Sequence, residues 1–136
     1  MATIHLDMTL RASPHAVWDA VRDVGSIHTH LAPGFVTDVK LEGGARIVTF
    51  ANGQVAREDI VTVDDAARRL VWSVVGTPMT HHNGAIQVFA KGGGCRLTWT
   101  ADLLPHALAD YIGSRMREGM DAMKQKLEAD ATAAAE

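Results

Sequence analysis

Hydrophobic and polar residues alternate along most of this chain, and the places where the alternation breaks divide it into elements. Ile4, Leu6, Met8 and Leu10 alternate with Thr3, His5, Asp7 and Thr9, the period of a strand with one face in a core. Ser13 and Pro14 then open a short helix as N-cap and first helical residue; Val17, Val21 and Val24 mark its inner face with Trp18 beside them, and Gly25 ends it. Ser26 to Leu31 forms a further short turn stopped by Pro33-Gly34. Period two returns in Phe35 to Glu42, in the runs on either side of Asn52-Gly53, in Leu70 to Val75, in Thr80 to Ala90 and in Arg96 to Asp102.

The last element has a different period. From Pro105 to Leu127, the residues Leu108, Ile112, Met116, Met123 and Leu127 form one helical stripe. Such a stripe needs a surface to cover, and a curved antiparallel sheet made of the preceding strands supplies it. Gly113 and Gly119 lie inside this helix, where each costs about 1 kcal/mol relative to Ala, and Tyr111 and Arg115 flank the stripe. A helix with those features reads as the roof of a cavity. The fold class is α+β: about seven strands around a long C-terminal helix, with one or two short helices after the first strand. Residues 1–128 form a single domain, and the alanine-rich residues 129–136 are expected to fray.

Asn52-Gly53 reads as a two-residue type I′ turn, which sets a register in which Phe50 faces Val55, Ile47 faces Glu58 and Arg46 faces Asp59 as a cross-strand charge pair. One face then carries Ala45, Ile47, Thr49, Ala56, Glu58 and Ile60; the other carries Val48, Phe50, Val55, Val61 and Val63. Both are apolar enough to lie under the helix, so the pattern leaves the choice open.

Composition narrows the partners. The chain has 136 residues, 47% of them hydrophobic, and a net charge of −3 without any Lys/Arg cluster. It offers no footprint for nucleic acid or anionic lipid. No apolar run reaches membrane-spanning length, and Met1 to Met8 is strand-like rather than a signal peptide, so a cytoplasmic location without membrane insertion is expected. Cys95 is the only cysteine, which excludes an internal disulfide and a cysteine-rich metal site.

Ala12-Ser13-Pro14-His15-Ala16-Val17-Trp18, Arg57-Glu58-Asp59-Ile60 before Asp64-Asp65, Arg69-Leu70-Val71-Trp72 and Arg96-Leu97-Thr98-Trp99-Thr100 before the final helix resemble, in order and spacing, the START-like superfamily. The likeness is to its polyketide cyclase/dehydratase branch, and more distantly to the birch-pollen allergens and abscisic-acid receptors. It implies a helix-grip fold with a ligand cavity between sheet and C-terminal helix. It also implies that Glu58 looks into that cavity and that Trp72 and Trp99 line it. The receptors' pocket lysine has no counterpart in Leu31-Ala32-Pro33, and the strands that carry their mobile gate here meet in the tight Ala51-Asn52-Gly53-Gln54 turn. Hormone-receptor gating is therefore not expected.

A small hydrophobic ligand, aromatic or polyketide-like, is the expected partner. Glu58, with its pKa raised in a low-dielectric cavity, and His82 are the candidate acid–base pair. His82 shares its face with Gly84, Ile86 and Val88, whereas His81 points away. Ile47, Ile60, Trp72, Ile86, Trp99, Tyr111, Arg115, Met116 and Gly119 are candidate ligand contacts, with His28 and His30 at the mouth. The bland reading of Glu58 is a structural carboxylate paired with Arg115. His28 and His30 are two apart on a turn and His81 and His82 diverge, so no metal site and no cofactor is expected. Three functions remain open: a hydrophobic-ligand carrier, a cyclase/dehydratase-type enzyme, and a protein-interaction module with a vestigial cavity.

Overall fold

The computed structural model describes residues 2–76 and 78–135. Seven antiparallel strands form one sheet in the order β1-β7-β6-β5-β4-β3-β2. They are β1 (Ala2–Leu10), β2 (Val36–Glu42), β3 (Ala45–Phe50), β4 (Val55–Asp64), β5 (Arg69–Val75), β6 (His81–Lys91) and β7 (Gly94–Leu104). Helix α1 (Pro14–Arg22) and a short turn at Ile27–Leu31 join β1 to β2, and α2 (Ala109–Ala135) closes the chain after a 3₁₀ turn at His106–Leu108.

Local chemistry accounts for the helix ends. Ser13 accepts a hydrogen bond from the Ala16 N–H at 3.1 Å, satisfying one of the free donors of the first turn. Helix α1 buries Val17, Trp18 and Val21, and Trp18 Nε1 donates to Asp65 at 2.9 Å. It ends at Arg22, three residues before the expected Gly25. The turn after it is wider than an α-helical one, with the Ala32 N–H reaching the Ile27 carbonyl at 2.7 Å, and it directs Ile27 and Leu31 into the core.

The long helix begins four residues later and ends eight residues later than expected. The segment beyond Leu127 continues the helix because Glu128 accepts from the Arg11 backbone N–H at 2.8 Å and Ala131 packs on the core.

The β3–β4 register also differs from expectation, by one residue. Gly53 has φ +89° but Asn52 is not in the left-handed region, so the type I′ turn, which needs both, does not form. A three-residue turn replaces it: the Gly53 N–H bonds the Phe50 carbonyl at 2.9 Å, and Asn52 Oδ1 caps the Gln54 N–H at 3.0 Å. Thr49 now faces Val55, Ile47 faces Arg57, and Arg46 faces Glu58 rather than Asp59. Asp59 is bonded instead by Arg57 Nε at 3.2 Å.

This shift decides which face is inside, and neither expected set survives whole. Arg46 and Val48 are buried on β3, and Glu58 is buried on β4. A bulge between Val36 and Asp38 turns Val36 into the core as well. The core runs from β1 and α1 through Leu70, Trp72, Ile86, Val88 and Leu97 to Met120, Met123 and Leu127 of α2.

Candidate functional site

Between α2 and the inner face of the sheet lies a pocket of about 350 Å³. Its walls are mostly apolar: Leu31, Phe35, Val48, Leu70, Trp72, Ile86, Trp99 and Met116 are among them. Tyr111, at the start of α2, and Gln54, after the β3–β4 turn, stand at its rim and are joined by a hydrogen bond of 2.7 Å from the Tyr111 hydroxyl to Gln54 Oε1.

Two glycines shape the aromatic wall by close approach. Trp72 pairs with Gly84, and a Cβ on Gly84 would stand 2.5 Å from Trp72 Cε2, so the bare strand lets the indole lie flat across β6. There it meets Trp99 with ring centroids 6.2 Å apart. A Cβ on Gly119 would stand 2.9 Å from both Phe35 Cε2 and Trp99 Cζ3. The space left by this glycine is thus filled by two rings, where open room beneath the helix was expected. Gly113 is also buried, facing Ile4 of β1 rather than the pocket.

The polar groups in the wall are few. Arg46 Nε donates to Glu58 Oε1 at 2.8 Å, with side-chain exposures of only 4% and 10%, and Arg46 Nη1 reaches the Val24 carbonyl at 3.4 Å. The Arg46 guanidinium also lies 5.2 Å from the Trp72 ring centroid, a cation–π distance. Glu58 is therefore paired, but with Arg46 rather than Arg115. Arg115 sits 4.9 Å from the Phe35 ring and 5.7 Å from the Phe50 ring, two rings packed edge to face at 5.4 Å. Its Nη1 donates to Glu118 at 2.8 Å, while its Nη2 is buried without a hydrogen-bond partner, as is Trp99 Nε1. Burial, with a smaller contribution from the charge of His81, holds the His82 imidazole below its ordinary value of 6.5. His82 in this wall is a neutral ring near pH 7, able to donate at one nitrogen and accept at the other.

Of the residues singled out in the sequence, the pocket brings together Glu58, His82, Trp72, Ile86, Trp99, Tyr111, Arg115 and Met116. It does not bring in Ile47, which the register shift turns to the outer face opposite Arg57. Ile60 packs against the core outside the pocket wall, and Gly119 lies behind Phe35 and Trp99. His28 and His30 are not in the wall either: Ile27 and Leu31 of the same turn face it, while His30 pairs with Asp23 at 3.1 Å. Among the described residues, no group of three or more His, Cys, Asp or Glu is placed to hold a metal ion. No helix among them is long and apolar enough to cross a membrane.

Sequence reasoning missed Arg46, Phe35, Phe50 and Gln54. The first was hidden by the register, since a three-residue reading of the Asn52-Gly53 turn sets Arg46 opposite Glu58. The two phenylalanines carried no signal beyond their apolar character.

No curated protein sequence matches the chain. Solved structures do match. The protein XoxI from Bacillus cereus is 20% identical with a TM-score of 0.81, covering 100% of this chain and 99% of that one. Norcoclaurine synthase from Thalictrum flavum, a point mutant in complex with a transition-state analogue, is 18% identical with a TM-score of 0.71, covering 93% of each chain. The di-domain ARO/CYC protein BexL of the BE-7585A biosynthetic pathway is 16% identical with a TM-score of 0.80; the match covers 94% of this chain and 47% of BexL. These likenesses are of fold, that of a sheet gripping a C-terminal helix. The family model described as "Polyketide cyclase / dehydrase and lipid transport" matches residues 1–128, so the chain belongs to that START-like, helix-grip family.

Proposed function

We propose that this protein binds a small, largely hydrophobic and aromatic molecule in the pocket between α2 and the sheet. The observation that carries the reading is the size and lining of that space. A cavity of about 150 Å³ is enough to admit benzene, and this one holds about 350 Å³ behind walls of Trp, Phe, Leu, Ile and Met. An aromatic ligand burying ~300 Å² of apolar surface there gains on the order of 7 kcal/mol before the cost of its lost freedom is subtracted. The same volume weighs against the interaction-module reading, which needs the space filled.

A cyclase-type reaction is the second reading, favoured by one observation: His82, a neutral imidazole in the wall, has the protonation state of a general base. Glu58 supports it less well, because its carboxylate already answers a buried guanidinium.

The test is titration with the uncharged probe N-phenyl-1-naphthylamine. Saturable probe emission, with energy transfer from Trp72 and Trp99 and a dissociation constant on the order of 1–100 μM, is the expected result. Absence of saturable binding up to the probe's solubility overturns the proposal. For the enzyme reading, His82→Gln should abolish turnover of a poly-β-ketone while changing ligand affinity no more than a few-fold; no turnover by the parent protein removes it.

A further inference from the structure

We infer that the ligand of this pocket is an aromatic acid whose carboxylate is held by Arg115, an inference that rests on the ligand-binding reading above and narrows its chemistry. The argument is an accounting of charge and hydrogen-bond capacity in the wall. Arg46 and Glu58 answer one another at 2.8 Å, so together they give the pocket no net charge. Arg115 is different. Its one carboxylate partner among the described residues, Glu118, lies three residues along the same helix with 56% of its side chain in solvent, where water screens the attraction.

The wall's fully buried atoms that lack a partner are all of one sign. Arg115 Nη2 and Trp99 Nε1 are both buried, both without partners, and both donors only. The third such atom among the described residues, His28 Nδ1, belongs to a residue outside the wall. Neither atom is open to a water-sized group as the wall stands; a buried donor left unmet is costly, and an acceptor brought against it by a small shift of the Arg115 side chain recovers that cost. An anionic oxygen pair recovers most, because charge-assisted bonds to a guanidinium are the strong ones and its fork matches a carboxylate.

The guanidinium is also held in place before any ligand arrives. Phe35 and Phe50, themselves edge to face, hold it at 4.9 Å and 5.7 Å. Little side-chain freedom is then lost on binding. His82, neutral in this wall, adds a hydrogen-bonding ring without supplying a second cation, so the discrimination falls on Arg115. Trp72, Trp99 and the two phenylalanines line the rest of the space with rigid aromatic carbon, which makes a flat aromatic acid a better fit than a fatty acid.

The test compares 2-naphthoate with 2-naphthamide, equal in size and differing in charge, near neutral pH in low salt. The parent protein should bind the carboxylate at least ~10-fold more tightly, the ratio given by one charge-assisted bond of about 1.4 kcal/mol. In Arg115→Gln the ratio should fall to near one, and in Arg115→Lys, which keeps the charge but not the fork, it should be intermediate. A parent ratio near one, or a ratio that Arg115→Gln leaves intact, overturns the inference while binding of the amide and of N-phenyl-1-naphthylamine keeps the pocket reading standing. If none of the three compounds binds, the pocket reading itself fails and takes this one with it.

Discussion

Replacing Glu58 by Leu removes the one carboxylate that faces the Arg46 guanidinium inside the sheet. The pair is 2.8 Å long with exposures of 4% and 10%, so the arginine left behind would have only the Val24 carbonyl at 3.4 Å and the face of Trp72 at 5.2 Å. Removing one partner of such a pair costs about 3–5 kcal/mol, out of the roughly 5–15 kcal/mol that holds an ordinary domain folded. Replacing both, as Arg46→Met with Glu58→Leu, leaves no buried charge and fills the volume. That double variant should lie within ~1–2 kcal/mol of the parent, the residue being the lost cation–π contact. Urea unfolding of the parent, both single variants and the double gives the coupling directly, and at least ~2 kcal/mol of favourable coupling is expected. Single variants that each lose less than ~1 kcal/mol, or losses that simply add, would refute the view that these two charges are in the wall chiefly to answer one another.

Two further outcomes follow from the wall. Gly119→Ala gains about 1 kcal/mol of helix propensity, yet its new Cβ would stand 2.9 Å from Phe35 and Trp99, so the rings must swing into the pocket. Probe affinity should drop several-fold in that variant, and unchanged affinity with a gain in stability would contradict the packing described. For His82, burial holds the folded pKa below 6.5, so the unfolded chain binds the proton more readily. Stability is therefore fully present above about pH 6.5, falls as the pH drops from there toward the depressed value, and levels off below it. His82→Gln should remove that part of the slope when urea midpoints are compared across pH; identical slopes would show that His82 is not a buried neutral ring.

The elements were legible because each is announced by local chemistry. Ser13-Pro14 marks a helix start, and strict alternation marks β1 and β7, whatever lies around them. The register of β3 against β4 was not legible, because Asn-Gly suits a type I′ turn and a three-residue turn with glycine in the left-handed position equally well. One residue of difference exchanged Ile47 for Arg46 inside the sheet, and with it the partner of Glu58. Gly119 shows a second limit: its position in the stripe was visible, but whether a missing side chain leaves a void or admits a neighbour depends on Phe35 and Trp99, distant in sequence. The end of α2 depended likewise on Arg11, whose backbone N–H holds Glu128 from across the molecule. Trp72 and Trp99 were marked as wall residues by the family resemblance, His82 by the strand parity it shares with Gly84 and Ile86, and Arg115 by its place beside the helical stripe.

The central claim is that the space between α2 and the sheet takes up a small hydrophobic molecule, and methyl-resolved NMR tests it where it matters. With N-phenyl-1-naphthylamine added, saturable shifts should concentrate on Met116, Met123, Ile86 and the indole signals of Trp72 and Trp99, all of which line the pocket. Trp18, which bonds Asp65 away from that wall, should stay in place. Shifts that fail to saturate, or that gather on the outer face of the sheet around Val71, Ala85 and Thr100, would contradict it.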